Sequence, residues 1–364
     1  MNYTSINNSS VSCGSVPYFS LPIAERLSPE LRAAFVFRIV ANAISCPFVV
    51  LLNILVMVAV KTNRRLRTKS NLSLACLATT DLVVGLVVQP LQIVHYSFML
   101  KGETGIICGW VHKVTGAITL RCVIASLNHF VLLSAERYIA IKHPFAYENL
   151  VTEVRIIVAS GLMWAAAIIP PMEDSWPSKI RNVAKLAVLF MQFIFLALVV
   201  CFNVSVYREV RRNEKQIIAN QVSSEVKEKL LKKKKAFYCT IIVLLAISLC
   251  YFPANVTVVI LISFMKDSMP VNVKRVMFNL VSLLPVLNSL FNPVIYAVRI
   301  RHFRVAFIQL LSKKTFAQAE QLERNVFGPR QITVMATTGG IEQGEGMTRN
   351  TGSCIQRDSL KKHM

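Results

Sequence analysis

Charge is what this sequence has least of: Asp, Glu, Lys and Arg together make up 16% of it, against roughly 25% in an ordinary soluble protein. Acid is scarcer than base, with 19 Asp and Glu against 41 Lys and Arg, a formal net charge of +22. A soluble surface so basic would point to nucleic acid. Here the basic residues flank long apolar runs instead, as they do in the cytoplasmic loops of membrane proteins. Paired cysteine motifs are also missing. Cys46, Cys76, Cys122, Cys201, Cys239 and Cys250 fall inside apolar runs with no CxxC or Cys/His metal spacing, so they read as packing residues. The first 34 residues lack the apolar core of a cleaved leader, and the first span is expected to act as the insertion signal. No span shows a nucleophile–base pair or a cluster of metal ligands, which speaks against an enzyme.

What is abundant is apolar length, since 54% of the residues are hydrophobic. A bilayer core about 30 Å thick takes roughly 20 apolar helical residues to cross. Segments 39–60, 70–100, 114–135, 156–172, 186–207, 236–265 and 276–298 qualify. The first has no charged residue, the second only Asp81 and the third only Arg121. Helices are expected, because isolated strands would leave backbone groups unpaired in lipid. The expected fold is therefore all-α, a seven-transmembrane helix bundle.

Loop charge sets the expected orientation. Residues 61–69 hold five basic residues in nine, and 208–235 hold ten basic and four acidic, ending in Lys232–Lys235. The alternate connections mix signs, as in Glu173-Asp174 and Lys266-Asp267. The positive-inside rule then puts the N-terminus outside the cell and the C-terminus inside. Sequons at Asn2, Asn7 and Asn8 agree as expected glycosylation sites, while those at Asn203 and Asn255 fall within spans. Residues 1–34 are expected to form an extracellular tail and 35–312 the membrane domain. That domain includes a short amphipathic helix after the seventh span, with apolar residues at 303, 307 and 310–311. Residues 313–364 are expected to be a disordered cytoplasmic tail, since the chain turns polar beyond about Lys314.

Polar residues inside spans are costly in lipid and mark the places to look for function. The first span contains Leu52-Asn53, and the second Leu77-Ala78-Thr79-Thr80-Asp81. The third ends in Glu136-Arg137-Tyr138, followed by Pro144, and the fourth has Trp164. The sixth carries Cys250-Tyr251-Phe252-Pro253 and the seventh Asn288-Ser289-Leu290-Phe291-Asn292-Pro293-Val294-Ile295-Tyr296. This ordered set, over about residues 35–310, resembles the signature of the rhodopsin-like family of G-protein-coupled receptors.

The resemblance implies roles residue by residue. Glu136 would restrain Arg137 at rest, and Arg137, beside Tyr138, would engage a heterotrimeric G protein when the sixth helix swings outward. Tyr207 and Tyr296 would then hold the freed Arg137. Pro253, beside Tyr251, and Pro293 each remove a backbone hydrogen bond and would serve as hinges. Asp81, Ser126, Asn288, Ser289 and Asn292 are polar positions that can converge in mid-bundle. Their oxygens suit a small hard cation, and the resemblance implies sodium. Otherwise these groups hydrogen-bond the helices together. No other cofactor is expected.

Several departures narrow the subtype. The position 25 before Arg137 is His112, and no cysteine lies between Cys122 and Cys201, so the family's usual outer disulfide cannot form. Cys108 could pair with Cys13 instead. Val199 stands where the fifth span usually has proline. Both absences resemble melanocortin and cannabinoid receptors and raise that branch with its adenosine-receptor relatives. Tyr251 stands where Trp is usual, and Lys233 where many relatives carry an acid. With that restraint on Arg137 gone, raised basal activity is expected.

The third-span pocket position is Thr119 rather than the aspartate of amine receptors, and Val286 stands where opsins place the retinal lysine. Neither a biogenic amine nor retinal is therefore expected. Gln92, His95, Thr119, Val123, Tyr251, Asn255, Phe278 and Ser282 form a lightly polar, mostly uncharged candidate pocket, which suits a small-molecule or lipid ligand. A peptide held by the outer loops remains open. Arg121 could snorkel, pair with a neighbouring helix or touch ligand. The basic inner loops suit both the G protein and anionic membrane lipids. The rival class, a seven-helix transporter or channel, would bring an inverted repeat or a line of buried charges. The sequence shows neither.

Overall fold

The structure is a computed structural model that describes residues 27–102, 111–168, 178–219, 249–260 and 270–327. All regular structure among the described residues is helical. The first helix, α1 (Pro29–Thr62), starts on Ser28, whose hydroxyl accepts the Leu31 amide, with Pro29 opening the first turn. Arg38, Asn42, Ser45, Val49, Asn53, Val56 and Val60 are buried at intervals of three and four residues. Val36, Phe37, Val40, Ile44, Phe48, Leu51 and Ile54 are exposed on the opposite side. Such a helix is inverted relative to one at a soluble surface, with the polar stripe inside and the apolar face outside, as a lipid solvent dictates.

The second span is one apolar helix in three parts: α2 (Lys69–Val83), a π-helical turn (Val84–Val88) and α3 (Gln89–Lys101). Pro90 lacks the amide that would bond back into this turn, and a widened turn absorbs the break. Gly85, within the turn, lets α1 come close. A Cβ there would lie 2.9 Å from methyls of both Val49 and Val50. Gly102 closes α3 in the left-handed conformation at φ 73°.

The third span, α4 (His112–Lys142), packs against the second, fourth and fifth. A short helix, α5 (Pro144–Leu150), turns through 73° into α6 (Glu153–Ile168), which marks the fourth span. The fifth lies within α7 (Ser178–Ala219), and α8 (Leu249–Ile260) is the described part of the sixth. The seventh is split at Ser282-Leu283 into α9 (Val271–Val281) and α10 (Leu284–Arg299). Five of these helical segments are long and apolar enough to cross a membrane, and six if α5 and α6 count as one.

After Ile300 the chain turns into α11 (Arg301–Ser312), an amphipathic helix whose Phe303, Val305, Ala306 and Phe307 are buried. Phe303 stacks between Tyr296 and Phe307, tying α11 to the seventh span. The polar stretch beyond Lys314 was expected to lack order, and here the structure differs. Lys313 takes a left-handed turn, and α12 (Phe316–Phe327) folds back on α11. The hairpin forms because Glu323, 4% exposed, receives Arg301 at 2.8 Å and Arg304 at 2.9 Å. Burial raises the Glu323 pKa, but the two guanidinium groups outweigh burial and hold the carboxyl below its usual range. The guanidinium of Arg65 from the first loop lies 4.8 Å from the Phe316 ring, so α12 also touches the connection after α1.

Candidate functional site

Three polar zones run along the inside of the bundle. In the middle, Asn292 donates to Asp81 at 2.8 Å, joining the second and seventh spans. Asn53 donates to the Ser289 carbonyl at 3.2 Å, adding the first span. Asp81 and Asn288 are fully buried, and Ser126, Ser289 and Asn292 nearly so. Asp81 Oδ1, Ser126 Oγ, Asn288 Oδ1 and Asn292 Oδ1 have no hydrogen-bond partner among the described residues. Asn288 Nδ2 is unpaired among the described residues as well, so the group is an open polar network whose oxygens could hold a small hard cation. Above them lies a small cavity with room for about one water molecule. Its lining includes Ser126, Ser289, Tyr251, Thr119 and Val123, so it joins the mid-bundle group to the expected pocket.

The second zone is at the Arg137 end. Glu136 lies next to Arg137 in sequence, and the Arg137 guanidinium reaches its Oε2 at 3.5 Å. The other carboxylate oxygen accepts the Ser70 hydroxyl at 2.7 Å and the Tyr147 hydroxyl at 2.6 Å. Three elements therefore fix one nearly buried carboxylate. Burial, with the neighbouring Glu136 charge, pushes the Tyr147 hydroxyl above the ordinary phenol range and keeps it a donor. Ser70 and Tyr147 were not singled out as site residues. Ser70 sits in the basic stretch that opens α2, and Tyr147 eleven residues beyond Glu136, so only the fold brings them together.

Tyr138 turns away from this cluster, against Phe202, and accepts a hydrogen bond from Lys142. The Tyr207 hydroxyl accepts from Arg211 at 3.0 Å, and Tyr296 is buried against Phe303. The partners expected to hold a freed Arg137 thus have other neighbours in this state. Pro293 is inside α10 and buried, Pro253 is inside α8, and Tyr251 is buried two residues before it.

The third zone occupies the opposite end and centres on a residue left outside the uncharged stretch 39–60. Arg38 is 2% exposed. It donates to the Asn279 carbonyl at 2.6 Å, to Ser282 Oγ at 2.7 Å and to Gln92 Oε1 at 3.3 Å and 3.4 Å, with its guanidinium 4.9 Å from the Tyr96 ring centre. Gln92 in turn donates to Thr119 on the third span at 3.3 Å. Of the expected pocket residues, Gln92, Thr119 and Ser282 belong to this network. His95 packs against Tyr96 and His112, with ring centres 5.0 Å and 5.2 Å away. Thr119, Val123 and Tyr251 line the cavity. Asn255 is buried on α8, and Phe278 is half-buried on α9 one residue before Asn279. The missed residues, Arg38, Asn42 and Ser45, fall with Asn53 on one helical stripe, a signal present in the sequence. Arg121 bonds the Ala117 carbonyl of its own helix at 3.0 Å. Cys13, Cys108, Lys233, Asn2, Asn7 and Asn8 lie outside the described residues.

The family model described as "7 transmembrane receptor (rhodopsin family)" matches residues 52–174 and 172–296. Similar proteins include the histamine H2 receptor of Rattus norvegicus, 27% identical over 281 residues, covering 72% of this chain and 75% of the relative. The histamine H2 receptor of Homo sapiens is 28% identical over 277 residues, covering 71% and 74%, and that of Cavia porcellus is 27% identical over the same length. The chain therefore belongs to the rhodopsin family of seven-transmembrane receptors, a multi-pass membrane protein of the G-protein-coupled class and not an enzyme.

Proposed function

We propose that the chain receives a ligand at the Arg38 end of the bundle, facing outside the cell, and activates a heterotrimeric G protein at the Arg137 end. The observation that carries this reading is the Glu136 carboxylate, held by Ser70, Tyr147 and Arg137. It ties Arg137 to its own helix and keeps it from the surface where a partner would dock, the geometry of a resting switch. Activation frees Arg137 as the sixth and seventh helices bend at Pro253 and Pro293, and Tyr207 and Tyr296 turn to meet it. Basic residues cluster at the same end, in 61–69, at Arg208, Arg211 and Arg212 on α7, and on α11. That clustering supports an inside Arg137 end at the plasma membrane, glycosylation of Asn2, Asn7 and Asn8 outside, and contact of the basic loops with anionic lipid.

The mid-bundle oxygens fit a sodium ion. Asp81, Ser126, Asn288, Ser289 and Asn292 would hold it, and it would supply the positive charge that Asp81 otherwise lacks. Asn292 donates to Asp81 across the bundle.

The relatives are receptors for histamine by name, yet an amine ligand does not suit this pocket. Thr119 brings no carboxylate to the third span and is hydrogen-bonded to Gln92. The buried charge nearby is Arg38, which repels a cation. Val286 lines the cavity where a retinal Schiff base would need an amine. The test is G-protein nucleotide exchange by membranes bearing the chain, against an Arg137→Ala variant. Exchange that survives the substitution unchanged overturns the reading.

A further inference from the structure

Arg38 is a buried cation whose partners among the described residues are all neutral: the Asn279 carbonyl, the Ser282 hydroxyl and carbonyl, the Gln92 side-chain oxygen and the Tyr96 ring. A buried charge is normally balanced by an opposite one. The Nη1 side of the guanidinium is well served, with bonds of 2.6 Å and 2.7 Å. The Nε–Nη2 edge is not. Both of its nitrogens reach one atom, Gln92 Oε1, at 3.4 Å and 3.3 Å, and the further bond of Nη2, to the Ser282 carbonyl, is also long at 3.4 Å. The same oxygen also accepts from Asn42 at 3.1 Å. One amide oxygen with two lone pairs thus serves three donors. This edge is the one that matches the two oxygens of a carboxylate in parallel, charge-assisted bonds.

The surroundings are unfinished in the same way. Among the described residues, His95, 3% exposed, has Nδ1 without a hydrogen-bond partner, and Asn279, 1% exposed, has neither side-chain atom paired.

Resting on the receptor reading above, we propose that the ligand carries a carboxylate, and that Arg38 receives it through the edge Gln92 now occupies. Gln92 acts as the stand-in for the acid, its side-chain oxygen lying on the edge a carboxylate would take. Displacing it breaks its bond to Thr119 and so releases the third span, the helix that ends in Arg137. Binding at one end is thereby linked to the switch at the other. An amine ligand gains nothing from this site, and an ester lacks the charge.

The test uses the full chain in membranes with purified heterotrimeric G protein. Acetate, succinate, benzoate and oleate are each compared with their methyl esters, nucleotide exchange being the readout. At least one acid is expected to change exchange where its ester does not. Arg38→Gln is expected to weaken that acid by at least about tenfold, and Arg38→Lys, a point charge without the fork, to restore it only in part. Since removing Arg38 also removes contacts between helices, Gln92→Ala gives an independent arm. It vacates the edge and removes the bond to Thr119, so it is expected to raise exchange without acid and to lower the acid concentration that takes effect. Acids and esters acting alike on the wild-type chain, or an acid effect untouched by Arg38→Gln, overturns the proposal. If exchange still depends on Arg137 in those experiments, the receptor reading stands while the carboxylate inference falls.

Discussion

Replacing Glu136 by Gln isolates the restraint on Arg137 with little else changed. The amide keeps an oxygen to accept from Ser70 and Tyr147, while the charge facing Arg137 at 3.5 Å disappears. At an effective dielectric constant of about 20, two charges at that separation attract by roughly 5 kcal/mol. Much of this is offset. The carboxylate is 3% exposed and has lost its hydration, and the arginine, 22% exposed, is partly screened by solvent. A net ~1–2 kcal/mol remains, a factor of about 5–30 in the ratio of freed to held Arg137. While the freed form is the minor one, ligand-free exchange scales with its population. The assay is basal nucleotide exchange on purified G protein, with receptor amount matched by surface labelling. Glu136→Gln is expected to raise the basal rate several-fold, and Arg137→Ala to abolish it. A Glu136→Gln rate equal to wild type would refute the reasoning, because a restraint that matters cannot be removed silently.

Other outcomes follow from the same structure. Gly85→Ala places a methyl against Val49 and Val50 where α1 and the second span meet, and overpacking of this kind costs about 1–3 kcal/mol; a lower Tm in detergent checks it. Glu323 has its pKa depressed in the folded state, so the stability it gives the α11–α12 hairpin is present above the ordinary carboxylate range and lost as pH falls through the depressed value. Amide exchange across Phe316–Phe327 is expected to quicken on acidification, and to be fast already at neutral pH in Glu323→Gln. Asp81→Asn is expected to remove any effect of sodium on basal exchange; a sodium effect that persists unchanged contradicts the mid-bundle site. Because Lys233 replaces a restraining acid, the wild-type chain is expected to show ligand-free exchange above mock membranes, and equality with them would sink that idea.

Much of this was legible from the chain because lipid makes the rules severe. Apolar length marked the spans, and polar residues within them, Asp81, Asn288 and Asn292 above all, marked the mid-bundle zone. Arg38 escaped because it stands one residue before the run that was counted as uncharged. The helix in fact begins at Pro29, a full two turns earlier, and charge at a span's edge reads as flanking sequence. Ser70 and Tyr147 escaped for a different reason. Each sits near the end of a helix, outside any apolar periodicity, and only tertiary folding brings it to Glu136. The order of α12 was hidden because its buried positions are few. What fixes it is the pairing of Glu323 with Arg301 and Arg304, about twenty residues apart in the chain.

The most direct measurement of the central claim is nucleotide exchange on a heterotrimeric G protein, run beside solute flux and membrane current in the same preparation. A receptor gives exchange that Arg137→Ala abolishes, with no flux or current above mock membranes. Flux or current together with exchange that ignores Arg137 would contradict it.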